Sequence, residues 1–206
     1  TPCIRIGHMK IIDHLILGIA AIQLKNQGSA LSHCTIEAVE MNSWSQLCEA
    51  LASGDIQAAF INAPLAMDLF SSGLSIRLLM MAHRSGSMIL KKKHTSIRTI
   101  NDFKGKTVLV PSEISIQTML LHRLFSSKSL RLGSHDDPEA DLMFEVINLY
   151  LMPRMLAEDS DNDIAGFAVS DPYGSQSILE GTAAKICTSD DLWKSHPCCV
   201  FAPHTD

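Results

Sequence analysis

Apolar runs of strand length alternate with helical runs along most of the chain, and turn residues separate them. Residues 3–8 predict a strand and 12–26 a helix that ends before Gly28. In 34–41, Cys34, Ile36 and Ala38 face one way and Thr35, Glu37, Val39 and Met41 the other; Glu40 breaks the phase at the strand end. Ser43 caps a helix running through Ser53 and closed by Gly54. Residues 56–61 form a near-continuous apolar strand, the kind buried on both faces of a parallel sheet. Pro64 opens a short helix to Phe70, and 76–82 is a further strand.

The alternation then repeats. Strands are expected at 87–91, 107–110, 143–147, 164–169, 184–187 and 198–202, and helices at 115–125, 152–158 and 172–179. Residues 133–141 and 158–163 are acidic and predict solvated loops. Strand–helix alternation of this kind predicts an α/β fold with mainly parallel sheets flanked by helices. Two such sets imply two lobes: residues 1–85 in the first, 86–190 in the second, and 191–206 returning to the first.

With 206 residues, 46% hydrophobic and 19% charged, the chain can bury a sizeable core and is not disordered in bulk. Aromatic residues are only 5%, so that core must be aliphatic, with ten methionines filling part of it. A net charge of −5 argues against a nucleic-acid partner, which would need a basic face. No window of about 18 residues is both apolar and uncharged, so no membrane-spanning helix is expected. The start at Thr1 reads as a mature or excised segment without a signal sequence. Six cysteines show no C-x-x-C spacing, which argues against a structural zinc site. Cys3 and Cys34 each begin one of the first two strands; a bridge fits parallel neighbours, and a one-residue offset would instead turn the two thiols to opposite faces.

In open α/β sheets, ligands sit at the carboxyl ends of strands, where helix N-termini present free N–H groups. That places Gly7, His8, Met9, Lys10, Asp13 and His14 after the first strand, Asn42, Ser43 and Trp44 after the second, and Asn62 and Ala63 after the third. Ser112, Ser115 and Gln117 stand at a helix start in the second lobe, and Asp171 and Tyr173 follow another strand. The candidate ligand-binding set is therefore His8, Met9, Asp13, His14, Trp44, Asn62, Ala63, Ser112, Ser115, Gln117, Asp171 and Tyr173. Each has a plainer alternative: Trp44 as a core residue, the histidines as surface groups, Ser115 as an N-cap, Gln117 as an exposed helix residue, Asp171 as a helix-start cap. No catalytic or cofactor motif is present, and in particular there is no G-x-S-x-G elbow; His8, Asp13 and His14 are of metal-ligating type, but nothing in the sequence fixes their geometry, and no metal is expected. The vicinal Cys198 and Cys199 fall in an expected buried strand, where cysteines behave as small apolar residues.

Four segments, in order, resemble the nitrate/sulfonate/taurine family of ABC-transporter substrate-binding proteins, which also includes thiamine-pyrimidine binders. They are Ile4-Arg5-Ile6-Gly7-His8 with Asp13; Ser43-Trp44 through Leu51 with Gly54-Asp55-Ile56-Gln57-Ala58-Ala59 and Ala63-Pro64; Ile100-Asn101-Asp102-Phe103-Lys104-Gly105-Lys106-Thr107-Val108; and Ala168-Val169-Ser170-Asp171-Pro172-Tyr173, followed by Leu192-Trp193 and His196-Pro197. The resemblance implies a two-lobed periplasmic-binding-protein type II fold without its C-terminal part. It also implies a monomeric solute-binding protein outside the cytoplasmic membrane, capturing a small polar or anionic organic solute in a cleft between the lobes and delivering it to an ABC permease. Nitrate binders of the family carry Lys at the position of Asp171, and bicarbonate binders Glu. An acidic residue there argues against nitrate, since a bare anion at about 4 Å is repelled by roughly 1–4 kcal/mol. The alternatives are a ligand-sensing domain of a regulatory protein and a pyrimidine-precursor enzyme of the same fold.

Overall fold

The structure is a computed structural model, and it describes residues 2–26 and 34–205. In chain order the strands are β1 (Cys3–His8), β2 (Thr35–Glu40), β3 (Ala58–Asn62), β4 (Met80–Arg84), β5 (Ser87–Lys92), β6 (Thr107–Val110), β7 (Leu132–Gly133), β8 (Leu142–Val146), β9 (Ile164–Ser170), β10 (Ala183–Thr188) and β11 (Pro197–Pro203). The helices are α1 (Leu15–Asn26), α2 (Trp44–Ala52), α3 (Ala63–Ser71), α4 (Ile116–Ser126), α5 (Met152–Glu158), α6 (Tyr173–Leu179) and α7 (Ser189–Leu192). Single 3-10 turns at Ile12–His14 and Ile100–Phe103 precede α1 and β6. Gly28, read as the stop of the first helix, lies outside the described residues.

The chain divides into two compact units, Thr1–Arg84 with Pro197–Asp206, and Ser85–His196. The return to the first unit comes at Pro197, six residues later than the expected 191. Residues 191–196 stay with the second unit because Asp190 accepts from the Ser85 hydroxyl and the Ser195 N–H, and the Ser85 N–H donates to the His196 carbonyl.

The first unit is a five-stranded sheet in the order β2-β1-β3-β11-β4. β2, β1 and β3 run parallel, while β11 is antiparallel to both β3 and β4. β3 is buried at all five positions, as its unbroken apolar run requires. One face carries α2 and α3, which bury Leu47, Leu51, Leu65 and Ala66. On the other, Ile6, Ala58 and Phe60 pack with Leu17 of α1 and with Phe201. α1 is otherwise exposed at Leu15, Ile16, Ile19 and Ile22.

The second unit is a six-stranded sheet in the order β10-β5-β9-β6-β8-β7. β10, β9, β6, β8 and β7 run one way, and β5 runs against them between β10 and β9. Both sheets are mixed yet mainly parallel in strand direction, as expected: one strand in each, β11 and β5, runs against the rest. Strand length and apolarity carry no sign of direction, and the two reversed strands are β5, the first strand of the second unit, and β11, which re-enters the first. Phe103 and Phe125 are fully buried against each other, ring centroids 5.3 Å apart. Gly166 stands so close to β5 that a Cβ there would lie 2.0 Å from the Leu90 carbonyl oxygen. The acidic loop after β7 is pinned rather than only solvated: Arg131 pairs with Asp137 and Glu139.

Cys3 pairs in register with Thr35, not Cys34, so the two thiols sit on opposite faces of the β1–β2 pair and both are free. The bridge that adjacency permitted is ruled out by a one-residue offset.

Candidate functional site

In the first unit the carboxyl end of β1 leads through Met9 into the 3-10 turn that bears Asp13 and His14, both buried. Met9 is fully buried, and its N–H donates to His14 Nδ1 at 2.8 Å. That bond fixes the tautomer: Nδ1 accepts, so Nε2 carries the proton. Burial, with His8 nearby, pulls the His14 pKa down to about 3, so the ring is neutral at ordinary pH. His14 Nε2 is buried and has no hydrogen-bond partner among the described residues.

The carboxyl end of β2 leads directly into α2. Ser43 is its N-cap, its hydroxyl accepting from the Gln46 N–H at 3.1 Å, while Gln46 Oε1 accepts from the Asn42 N–H at 2.7 Å. This exchange plants Trp44, 4% exposed, at the first helical position. Its indole stands edge-on to His14, centroids 5.8 Å apart and planes at 81°. Trp44 Nε1 is likewise buried without a partner. Two N–H donors on neighbouring rings, both buried and without a partner among the described residues, therefore lie where β1 and β2 end. Buried polar groups are hydrogen-bonded in the great majority of cases, so such a pair calls for an acceptor.

The other candidates of this unit are close by in the fold. His8 is half-buried, its Nδ1 3.2 Å from the Met9 carbonyl oxygen. Asn62 and Ala63, at the β3–α3 junction, are buried. Lys10 is exposed and paired with Glu40 at 2.7 Å. Asp13 is turned to the strand that returns to this unit. The Cys198 thiol donates to its Oδ2 at 2.9 Å, Cys199 lies 3.5 Å from the same oxygen, and His83 Nδ1 is 3.4 Å from Oδ1. Burial, then Cys198 and Asp13, raise the Cys199 thiol well above its usual range. Cys198 and Cys199 are fully buried as expected, but they hold a carboxylate instead of packing only as apolar residues. Sequence reasoning missed this grouping and the part of His83 in it. The vicinal pair was the available signal, and its partner lies 185 residues away.

In the second unit, Ser115 is the N-cap of α4, accepting from the Thr118 N–H, and Thr118 Oγ1 donates to the Ser112 carbonyl at 2.7 Å. Gln117 is 2% exposed, so it is not a surface helix residue. Its Nε2 donates to Ser87 Oγ at 2.9 Å and Ser170 Oγ at 3.1 Å, tying α4 to β5 and β9. Asp171 accepts from the Ser175 N–H at 3.0 Å and the Ser175 hydroxyl at 3.1 Å, across the first turn of α6. Tyr173 stacks edge-on against Tyr150, centroids 5.2 Å apart.

The chain resembles known proteins in sequence and in fold. The chain is 24% identical over 181 residues to the nitrate import ATP-binding protein NrtC of Synechocystis sp., a match covering 79% of this chain and 25% of that protein. The ligand binding component of an ABC-type import system from Staphylococcus aureus, solved with zinc bound, superposes with a TM-score of 0.84 at 24% identity, covering 99% of this chain and 66% of that one. The periplasmic nitrate-binding protein NrtA from Synechocystis PCC 6803 gives 0.79 at 18% identity, covering 100% and 56%. The fold is that of the periplasmic binding proteins, and this chain spans a quarter of the length of its curated relative NrtC. The NMT1-like family model matches residues 1–206, and the chain belongs to the NMT1-like family.

Proposed function

We propose that this chain captures a small polar or anionic organic solute for an ABC-type importer, outside the cytoplasmic membrane and without chemical turnover. The observation that carries this reading is the pair of buried, unpartnered N–H donors on His14 and Trp44 at the carboxyl ends of β1 and β2. Two neutral donors on neighbouring rings suit an acceptor-rich group such as a sulfonate or carboxylate, and they offer no nucleophile or general base. The same reading assigns the solute's further contacts in the first unit to Met9 and Asn62. Relatives with ATP-binding and ligand-binding roles in import support a permease and an ATPase as partners.

Thermal-shift screening against taurine, alkanesulfonates, nitrate, bicarbonate and aminopyrimidines tests it. A solute present at about 100 times its Kd stabilises the fold by roughly 2.7 kcal/mol. Nitrate is expected to be a poor ligand because of Asp171, and Asp171→Lys is expected to move preference toward simple anions. Micromolar nitrate binding by the unmodified protein would sink that part of the reading. Turnover of any of these compounds would replace it with the enzyme alternative.

A further inference from the structure

We propose that Asp13, Cys198 and Cys199 form a buried binding site for a single zinc ion. The three side chains come from the turn after β1 and from β11, and one ligand atom of each lies within 4.8 Å of the other two. All three residues are buried. Consecutive residues of a regular strand point to opposite faces, so neighbouring cysteines should not share a ligand. Here they do, because the pairing of β11 with β4 slips between Pro197 and Cys199 and again between Cys199 and Val200. Such irregularities re-aim side chains, and this one brings both sulfurs to the same carboxylate oxygen, at 2.9 and 3.5 Å.

The donor set selects the metal. Two thiolates with a carboxylate suit a borderline-soft, tetrahedral ion and disfavour magnesium or calcium, which take oxygen. Around tetrahedral zinc, sulfur and oxygen ligands stand about 3.5–3.8 Å apart, so the present spacing opens by less than about 1 Å on loading. As each S–Zn bond forms, the thiol proton leaves to solvent, giving two thiolates and one carboxylate around the dication. His83, whose Nδ1 is 3.4 Å from Asp13 Oδ1, stands beside this three-residue group, and the fourth position is open to it or to water. His83 stands on the edge strand β4 with its side chain 27% exposed, which gives the ion a route in from solvent. This site is independent of the solute: it uses neither of the unpaired donors on His14 and Trp44.

Cobalt(II) titration of the chelator-stripped chain tests it, because tetrahedral cobalt bound by thiolate shows visible d–d bands and a near-ultraviolet charge-transfer band. The expected result is saturation at one equivalent, with zinc displacing cobalt and bleaching the bands. Cys198→Ala and Cys199→Ala should each abolish the charge-transfer band or sharply weaken it, and Asp13→Asn should weaken metal binding. Cys48→Ala and Cys187→Ala should leave the titration unchanged. His83→Ala should cost less than loss of either thiol. Absence of the band in the unmodified protein, or a band that survives loss of both Cys198 and Cys199, overturns the proposal whether or not the variants fold well.

Discussion

Replacing Trp44 by phenylalanine separates a ligand-facing indole from a structural one, because the two roles move stability and binding in different directions. Trp44 is 4% exposed and its Nε1 has no partner, so the free protein carries a desolvated donor. An unsatisfied buried group of this kind costs about 1–3 kcal/mol. Phenylalanine removes that cost but gives up part of the ring's burial, on the order of one or two methylene equivalents at about 0.8 kcal/mol each. The two terms oppose each other, and Trp44→Phe is expected to leave the stability of the free protein within about 1 kcal/mol of the parent. Trp44→Ala, which empties the site, should cost about 3–5 kcal/mol. Binding should respond otherwise: a solute that accepts from the indole loses a hydrogen bond worth about 1–3 kcal/mol, or roughly 5–150-fold in Kd. The assay is urea denaturation of the free variants together with calorimetric titration of the best solute from the screen. Trp193, 42% exposed, is the control, and Trp193→Phe should change neither quantity. A Trp44→Phe protein that loses more than 2 kcal/mol while binding unchanged would refute the reasoning, since the indole N–H would then be a structural donor.

Three further outcomes follow from the second unit and from α1. Gly166→Ala should destabilise by about 3 kcal/mol or more in urea denaturation, because the new Cβ meets the Leu90 carbonyl oxygen at 2.0 Å and Lys91 Cα at 3.0 Å, and strand backbone cannot step aside. Gly18→Ala, with nothing within 4 Å, should instead gain up to about 1 kcal/mol of helix propensity. Burial raises the Asp159 carboxyl, but the Lys92 ammonium at 2.7 Å and the Ile164 and Asp163 N–H groups outweigh it and hold the group below its usual range. Its contribution is therefore present above the ordinary carboxylate pKa of about 3.9 and is lost as pH falls through the lower folded value. Asp159→Asn should cost about 1.5–3 kcal/mol at pH 7, and the gap to the parent should close below about pH 4. A gap that persists at low pH would show that the loss is not electrostatic.

Local pattern determined much of this molecule. Alternation with period two and apolar runs ended by Gly, Pro and Ser were enough to locate β1, β6 and α5 to the residue and most other elements to within a few, because these signals act between near neighbours. The rule that ligands meet the carboxyl ends of strands also put His14 and Trp44 in one candidate set before their rings were seen to be neighbours. What the chain could not announce is everything set by contacts distant in sequence. Strand direction depends on where a segment enters its sheet, which made β11 and β5 run against the rest of theirs. The register between β1 and β2 separated Cys3 from Cys34, since a shift of one residue reverses every side chain. Gln117 is polar and sits on a helix, yet tertiary packing buries it between two serines that lie 30 and 53 residues away. The meeting of Asp13 with Cys198 and Cys199 rests on a slip in strand pairing, and no local spacing records where a ladder will slip.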